Sequence, residues 1–170
     1  MENILKYQNK FRIRSTRLSR FDYSSNGYYF VTICVKEKIC CLGTVKNNKC
    51  ELSELGIIVK KCWLEIPKHF PEIALDFYEI MPNHLHGILI NNNNHDCRDG
   101  ACPVSTLGNI VGSFKSASSN LIHKIDISFK WQSRFYDHVI RNEKSLSAIR
   151  EYISLNPTKW GQDEENPDNK

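Results

Sequence analysis

The run at residues 81–90, MPNHLHGILI, constrains what this chain can fold into more than any other stretch. Its apolar, branched residues predict a strand over 84–90, and successive side chains on a strand point to opposite faces. His84, His86, Ile88 and Ile90 then share one face, and Leu85, Gly87 and Leu89 the other. Two imidazoles side by side on a rigid strand suit a divalent metal. The same pair could equally be two part-buried histidines satisfied by main-chain partners, so its meaning depends on what else the fold brings near it.

The segments around this strand read as an α+β plan. GYYFVTICV, from Gly27, is dense in aromatic and β-branched residues and predicts a strand. A second strand is expected over 40–46, with Asn47-Asn48 as a turn and a short third run through Leu52. Ser53 caps a helix whose Leu55, Ile58, Val59, Cys62, Trp63 and Ile66 recur at helical spacing until Pro67 ends it. A strand over 73–80 and the tight connection Met81-Pro82-Asn83 make the histidine strand the second arm of a central antiparallel hairpin. Residues 91–105 form a polar loop. A helix over 107–123, a short strand over 136–140 and a helix over 143–155 follow, with Asn142 as N-cap and Pro157 as terminator. One antiparallel sheet with helices packed against it accommodates this order. No glycine-rich phosphate loop and no internal repeat are present.

Composition narrows the class. With 170 residues, 41% hydrophobic and 25% charged, the chain reads as one globular domain. No apolar run approaches the ~20 residues that span a bilayer, so no membrane role is expected. The N-terminal residues are polar and basic rather than signal-like, which makes a cytoplasmic protein the expectation. Seven cysteines are irregularly spaced without a CxxC pair, which argues for reduced thiols over a zinc ribbon. His95, Cys97 and Cys102 remain as a minor metal-site possibility in the polar loop.

The net charge of +4 is unevenly spread. Residues 1–20 carry Lys6, Lys10, Arg12, Arg14, Arg17 and Arg20 against Glu2, a basic arm of the kind that binds phosphate backbones. Residues 21–160 form the domain itself. Residues 161–170 hold Asp163, Glu164, Glu165 and Asp168, lack periodicity, and are expected to be a disordered acidic tail.

The last helix supplies company for the histidines. Leu146, Ile149 and Ile153 form its core stripe, while Tyr152 and Asn156, four residues apart, share another face. A phenol can act as a nucleophile and an amide oxygen as a third metal ligand beside two imidazoles. A metal so held would polarise a phosphoryl group and help a phenolate attack it. A phenol with a pKa near ~10 needs that help. Tyr136, in FYDH, is the rival nucleophile, but it has no amide ligand one helical turn away.

MPNHLHGILI, the lead into FDYSSNGYYFVTICV, the segment WQSRFYDHVIRN and the helix EYISLNP together resemble the REP-associated tyrosine transposases, relatives of the single-tyrosine HUH transposases. The resemblance runs over about residues 12–160. It implies a ferredoxin-like, RRM-like antiparallel sheet with helices on its faces. It also implies a metal-dependent single-stranded DNA endonuclease and strand transferase acting near hairpins of palindromic repeats through a 5′-phosphotyrosine link. In that family His84 and His86 match the HUH ligands and Tyr152 the nucleophile. Asn156 matches the amide ligand, commonly glutamine in insertion-sequence relatives. The cofactor would be Mg²⁺ or Mn²⁺. Arg12, Arg14, Arg17 and Arg20 would grip DNA beside the hairpin, and Lys115 on the preceding helix could contact phosphates. A monomer or a homodimer would both serve. The alternative is a non-catalytic hairpin-binding module derived from a transposase; a small-phosphoester hydrolase lacks carboxylates for a second metal.

Overall fold

The computed structural model describes residues 6–7, 10–11, 22–92 and 106–169. Short pairs β1 (Lys6–Tyr7) and β2 (Lys10–Phe11) precede the domain. Then follow β3 (Gly27–Cys34), β4 (Gly43–Lys46), β5 (Lys49–Leu52), α1 (Glu54–Leu64), α2 (Ile66–His69), β6 (Ile73–Met81), β7 (His84–Asn91), α3 (Leu107–Ile122), β8 (Tyr136–Ile140) and α4 (Glu143–Leu155). Two 3-10 turns, Pro157–Gln162 and Pro167–Asn169, end the described chain.

Four strands pair antiparallel in the order β6-β7-β3-β8, which sets the histidine strand in the interior of the sheet. Numbered as the sheet's own strands, this is the 4-1-3-2 order of a ferredoxin-like fold, with β3-α1-β6 as a split βαβ unit. The chain is therefore α+β with an antiparallel sheet and helices packed on it, as expected.

Strand alternation divides the core in two. Tyr29, Val31, Ile33, Leu85 and Leu89 face α1 and α3, packing on Val59, Trp63, Ile110, Val111 and Phe114. Phe30, Ile88 and Ile140 face α4, packing on Leu146 and Ile153. Gly87 is required by the first layer: a Cβ there would lie 2.3 Å from the Trp63 ring. Ser53, Thr106 and Asn142 each cap a helix by accepting an amide three residues on. Arg150 clamps α4 onto β6 through Nε and Nη2, which donate to Asp76 Oδ2 at 2.9 and 2.7 Å.

Three expectations need correction. β4 and β5 form a separate hairpin closed by Asn47 and Asn48, both at positive φ, rather than part of the main sheet. Pro67 does not end α1, which stops at Leu64; it opens α2, since a proline lacks only an amide that a first turn leaves unused anyway. Pro157 does end α4, but it also opens a 3-10 turn, through which residues 161–169 fold back onto the domain instead of lying disordered. The reversal is held by specific bonds: Asn166 is buried and donates to Trp160 O at 3.0 Å, and Glu165 pairs with Lys38 at 3.1 Å. Composition alone cannot register such bonds.

Candidate active site

His84 and His86 lie on the α4 face of β7, opposite Cys34 and Thr32 of β3. Both are buried. Their rings stand 4.5 Å apart between centroids, and the two Nε2 atoms are 3.0 Å apart. Phe30 stacks on His86 at 5.5 Å, and Trp160 closes over His84 at 6.0 Å.

The hydrogen bonds behind the rings fix what those nitrogens offer. Asn83 Nδ2 donates to Lys38 O at 3.0 Å and Glu165 O at 2.7 Å, which occupies both amide hydrogens. Its Oδ1 must then accept from His84 Nδ1 at 2.8 Å, leaving His84 Nε2 as a bare lone pair. His86 Nδ1 lies 2.9 Å from the Thr32 hydroxyl, which can donate or accept. When Thr32 accepts, both Nε2 lone pairs face each other, an arrangement that a bound cation would stabilise. When Thr32 donates, His86 Nε2–H bonds His84 Nε2. Moving the His86 ring proton from Nε2 to Nδ1, with the Thr32 hydroxyl turning to accept it there, converts a closed pair into a pair of ligands. Burial pushes both imidazoles down to about 3; the Lys38 charge adds to this at His84, as His84 does at His86, where Asp163 opposes it. Both rings are neutral near pH 7, the form that binds metals.

α4 delivers the other two expected residues. Tyr152 is half-buried, its ring at 5.2 Å from that of His86 and its hydroxyl at 3.4 Å from His86 Nε2. Burial raises its pKa, the Asp163 charge raises it further, and a hydrogen bond from the Asn156 side chain lowers it. Asn156 caps the helix, is 3% exposed, and its Oδ1 has no hydrogen-bond partner. Since unsatisfied buried acceptors are rare, this oxygen fits a cation-binding role. His86, Tyr152 and Asn156 line one cleft of about 580 Å³. Two neutral imidazoles and an orphaned amide oxygen make a donor set that fits a divalent ion.

Tyr136 lines the same cleft but sits on β8, half exposed, with its ring 6.2 Å from Phe30. Lys115 is part-buried and already engaged by the main chain. Its Nζ donates to Gln132 O at 2.7 Å and Arg134 O at 2.9 Å, it lies over the Phe135 ring, and burial pushes its pKa down to about 8, with Cys34 opposing. Arg12, Arg14, Arg17 and Arg20, and the His95, Cys97 and Cys102 group, lie outside the described residues.

One residue at the site was missed by sequence reading. The ligating atoms of His84, His86 and Asp163 all lie within 4.8 Å of one another. Nothing in the spacing of an acidic run signals this; only the turn after Pro157 does, by reversing the chain.

No protein-family model matches the chain. An uncharacterized Haemophilus influenzae protein is 42% identical over 164 residues, covering 89% of this chain and 91% of that protein. A second Haemophilus influenzae protein, assigned as a REP-associated tyrosine transposase, is 25% identical over 145 residues, covering 84% of this chain and 76% of its own. Among solved structures, a REP-associated tyrosine transposase bound to a REP hairpin superposes with a TM-score of 0.63 at 20% identity, covering 86% of this chain and 75% of that one. No helix among the described residues is long and apolar enough to cross a membrane. The chain is thus similar in sequence to an assigned REP-associated tyrosine transposase and shares its fold with a solved one.

Proposed function

We propose that this chain cleaves and rejoins single-stranded DNA beside a hairpin, with Tyr152 as nucleophile. The observation that carries the reading is the meeting, in one cleft, of the Tyr152 hydroxyl, the His86 Nε2 at 3.4 Å and the unsatisfied Asn156 Oδ1. The hairpin is suggested by the relative solved with one bound.

His84, His86 and Asn156 would hold Mg²⁺ or Mn²⁺, which would polarise the scissile phosphate and offset its developing charge. The chain's own groups do the rest. The Asn156 side chain and His86 orient the Tyr152 oxygen, which attacks phosphorus as its proton passes to solvent at the half-open rim. The P–O3′ bond breaks, O3′ keeps the electron pair and takes a proton, and the 5′ side stays linked to Tyr152 through phosphate. Attack by a 3′-OH reverses the step, so joining needs no nucleotide cofactor. Arg12, Arg14, Arg17 and Arg20 would grip the backbone next to the hairpin. Lys115, already bonded to two carbonyls, would serve DNA indirectly by pinning the 132–134 segment that lines the cleft.

The test is a labelled hairpin oligonucleotide with a single-stranded flank, incubated with Mn²⁺ and run on a denaturing gel. A covalent protein–DNA band is expected from the native chain and from Tyr136→Phe, and none from Tyr152→Phe or in EDTA. A band that persists in Tyr152→Phe and vanishes in Tyr136→Phe would reassign the nucleophile. Tight, salt-dependent binding with no band under any condition would favour a non-catalytic hairpin-binding module.

A further inference from the structure

We infer that Asp163, carried by the folded-back C-terminal segment, is a direct ligand of the divalent ion at His84 and His86. The inference rests on the metal reading above and adds to it a residue outside the tyrosine helix and the histidine strand.

The geometry is specific. Asp163 offers a carboxylate oxygen within 4.8 Å of a nitrogen of each imidazole, so that a small side-chain shift brings all three within the roughly 4.2 Å that opposite ligands of one Mg²⁺ span. The site's other donors are neutral: two imidazoles and the Asn156 amide oxygen, which is buried without a partner. A divalent ion in that pocket would carry its full double charge into a low-dielectric site, and one carboxylate halves it. Oxygen ligands also shift the preference of the set toward Mg²⁺ and Mn²⁺ and away from softer ions.

The segment is built to keep the carboxylate there. Asp163 Oδ1 accepts the Glu165 amide at 2.7 Å, and the Asp163 carbonyl accepts from Asn166 N and Asn169 Nδ2. Lys38 then ties the same turn to the domain, donating to Glu164 O at 2.8 Å and pairing with Glu165. Glu164 lines the cleft but is not one of the clustered ligands.

These facts make a clean experiment. Asp163→Asn keeps an Oδ1 that accepts the Glu165 amide, so the turn survives while the anionic ligand is lost. Glu164→Gln removes one negative charge from the same turn without touching the ligand set. Mn²⁺ binding to the full-length proteins is measured by titration calorimetry, with the electron paramagnetic resonance of free Mn²⁺ as a second readout. The native chain is expected to bind one ion, Asp163→Asn to bind it at least about tenfold more weakly, Glu164→Gln within about twofold of native, and His86→Ala not at all. Native-like affinity in Asp163→Asn beside loss in His86→Ala would overturn the role of Asp163 and leave the histidine site standing. Equal weakening in Glu164→Gln and Asp163→Asn would overturn ligation in favour of general charge. Failure of the native chain to take up Mn²⁺ would sink the metal centre itself and the inference with it.

Discussion

Asn83 is the residue on which the chemistry of the histidine pair turns. Its amide hydrogens are both committed to carbonyls, so its oxygen dictates which His84 nitrogen carries a proton. Asn83→Asp would offer only acceptors to two carbonyls and one ring nitrogen, and should weaken Mn²⁺ binding about 10- to 100-fold, read by calorimetry. Thr32→Val, which removes the switchable hydroxyl at His86 Nδ1, should fall in the same range. A pH effect follows from burial. Both histidines have folded pKa values near 3, below the unfolded value of 6.5. The unfolded chain therefore binds more protons in between. Stability from this source is complete above about pH 6.5 and drains away as pH falls toward 3. In EDTA, His84→Gln/His86→Gln should lose stability less steeply than the native chain between pH 6.5 and 4, as followed by denaturant melts. Equal slopes would mean the rings are not buried neutral. The alternation that pairs the two histidines was legible in HLH. Their tautomers were not, because these depend on carbonyls 45 and 82 residues from Asn83.

At the scale of elements, the tyrosine helix is a positioning device. Ile153 is the buried neighbour of Tyr152, and its packing on Phe30 and Ile88 sets how deep the phenol sits. Ile153→Ala should cost about 2–5 kcal/mol in chemical denaturation and reduce the covalent band, since the cavity lets the helix shift. On the opposite face, Gly87→Ala drives a methyl into Trp63 and should lower the melting temperature without touching any donor of the site. Helix caps and strand bounds were readable because Ser53, Asn142 and the aliphatic periodicities act locally. Pro67 misled where Pro157, which follows the end of α4, did not. A proline that stops one helix is well suited to begin the next turn, and the choice is made by tertiary contacts. Asp163 was illegible for the same cause.

Across the whole molecule, the sheet separates two tasks. One face is sealed by α1 and α3 and carries the larger core; the other holds α4, the C-terminal turn and an open cleft. DNA would meet the second face, and the arginines at 12, 14, 17 and 20 would add an electrostatic grip independent of sequence. Replacing all four with alanine should flatten the plot of log affinity against log salt by up to about 3, at roughly 0.7 per single-strand phosphate contact, while leaving Mn²⁺ affinity unchanged. The hairpin of β6 and β7 was legible in the strand signals, and the ferredoxin-like sheet in the resemblance. That the cleft is walled partly by residues 162–165 did not, since their composition reads as solvent-loving.

The reach of Glu165 back to Asn83 has a genetic consequence. A nonsense mutation just beyond Trp160 would spare Tyr152, both histidines and Asn156, so the reading frame would still display the motifs that carry the resemblance. Its product would lack the carbonyl that orients Asn83 and the carboxylate beside the two rings. Among related genes, such truncated copies would pass as functional by motif and be silent by chemistry.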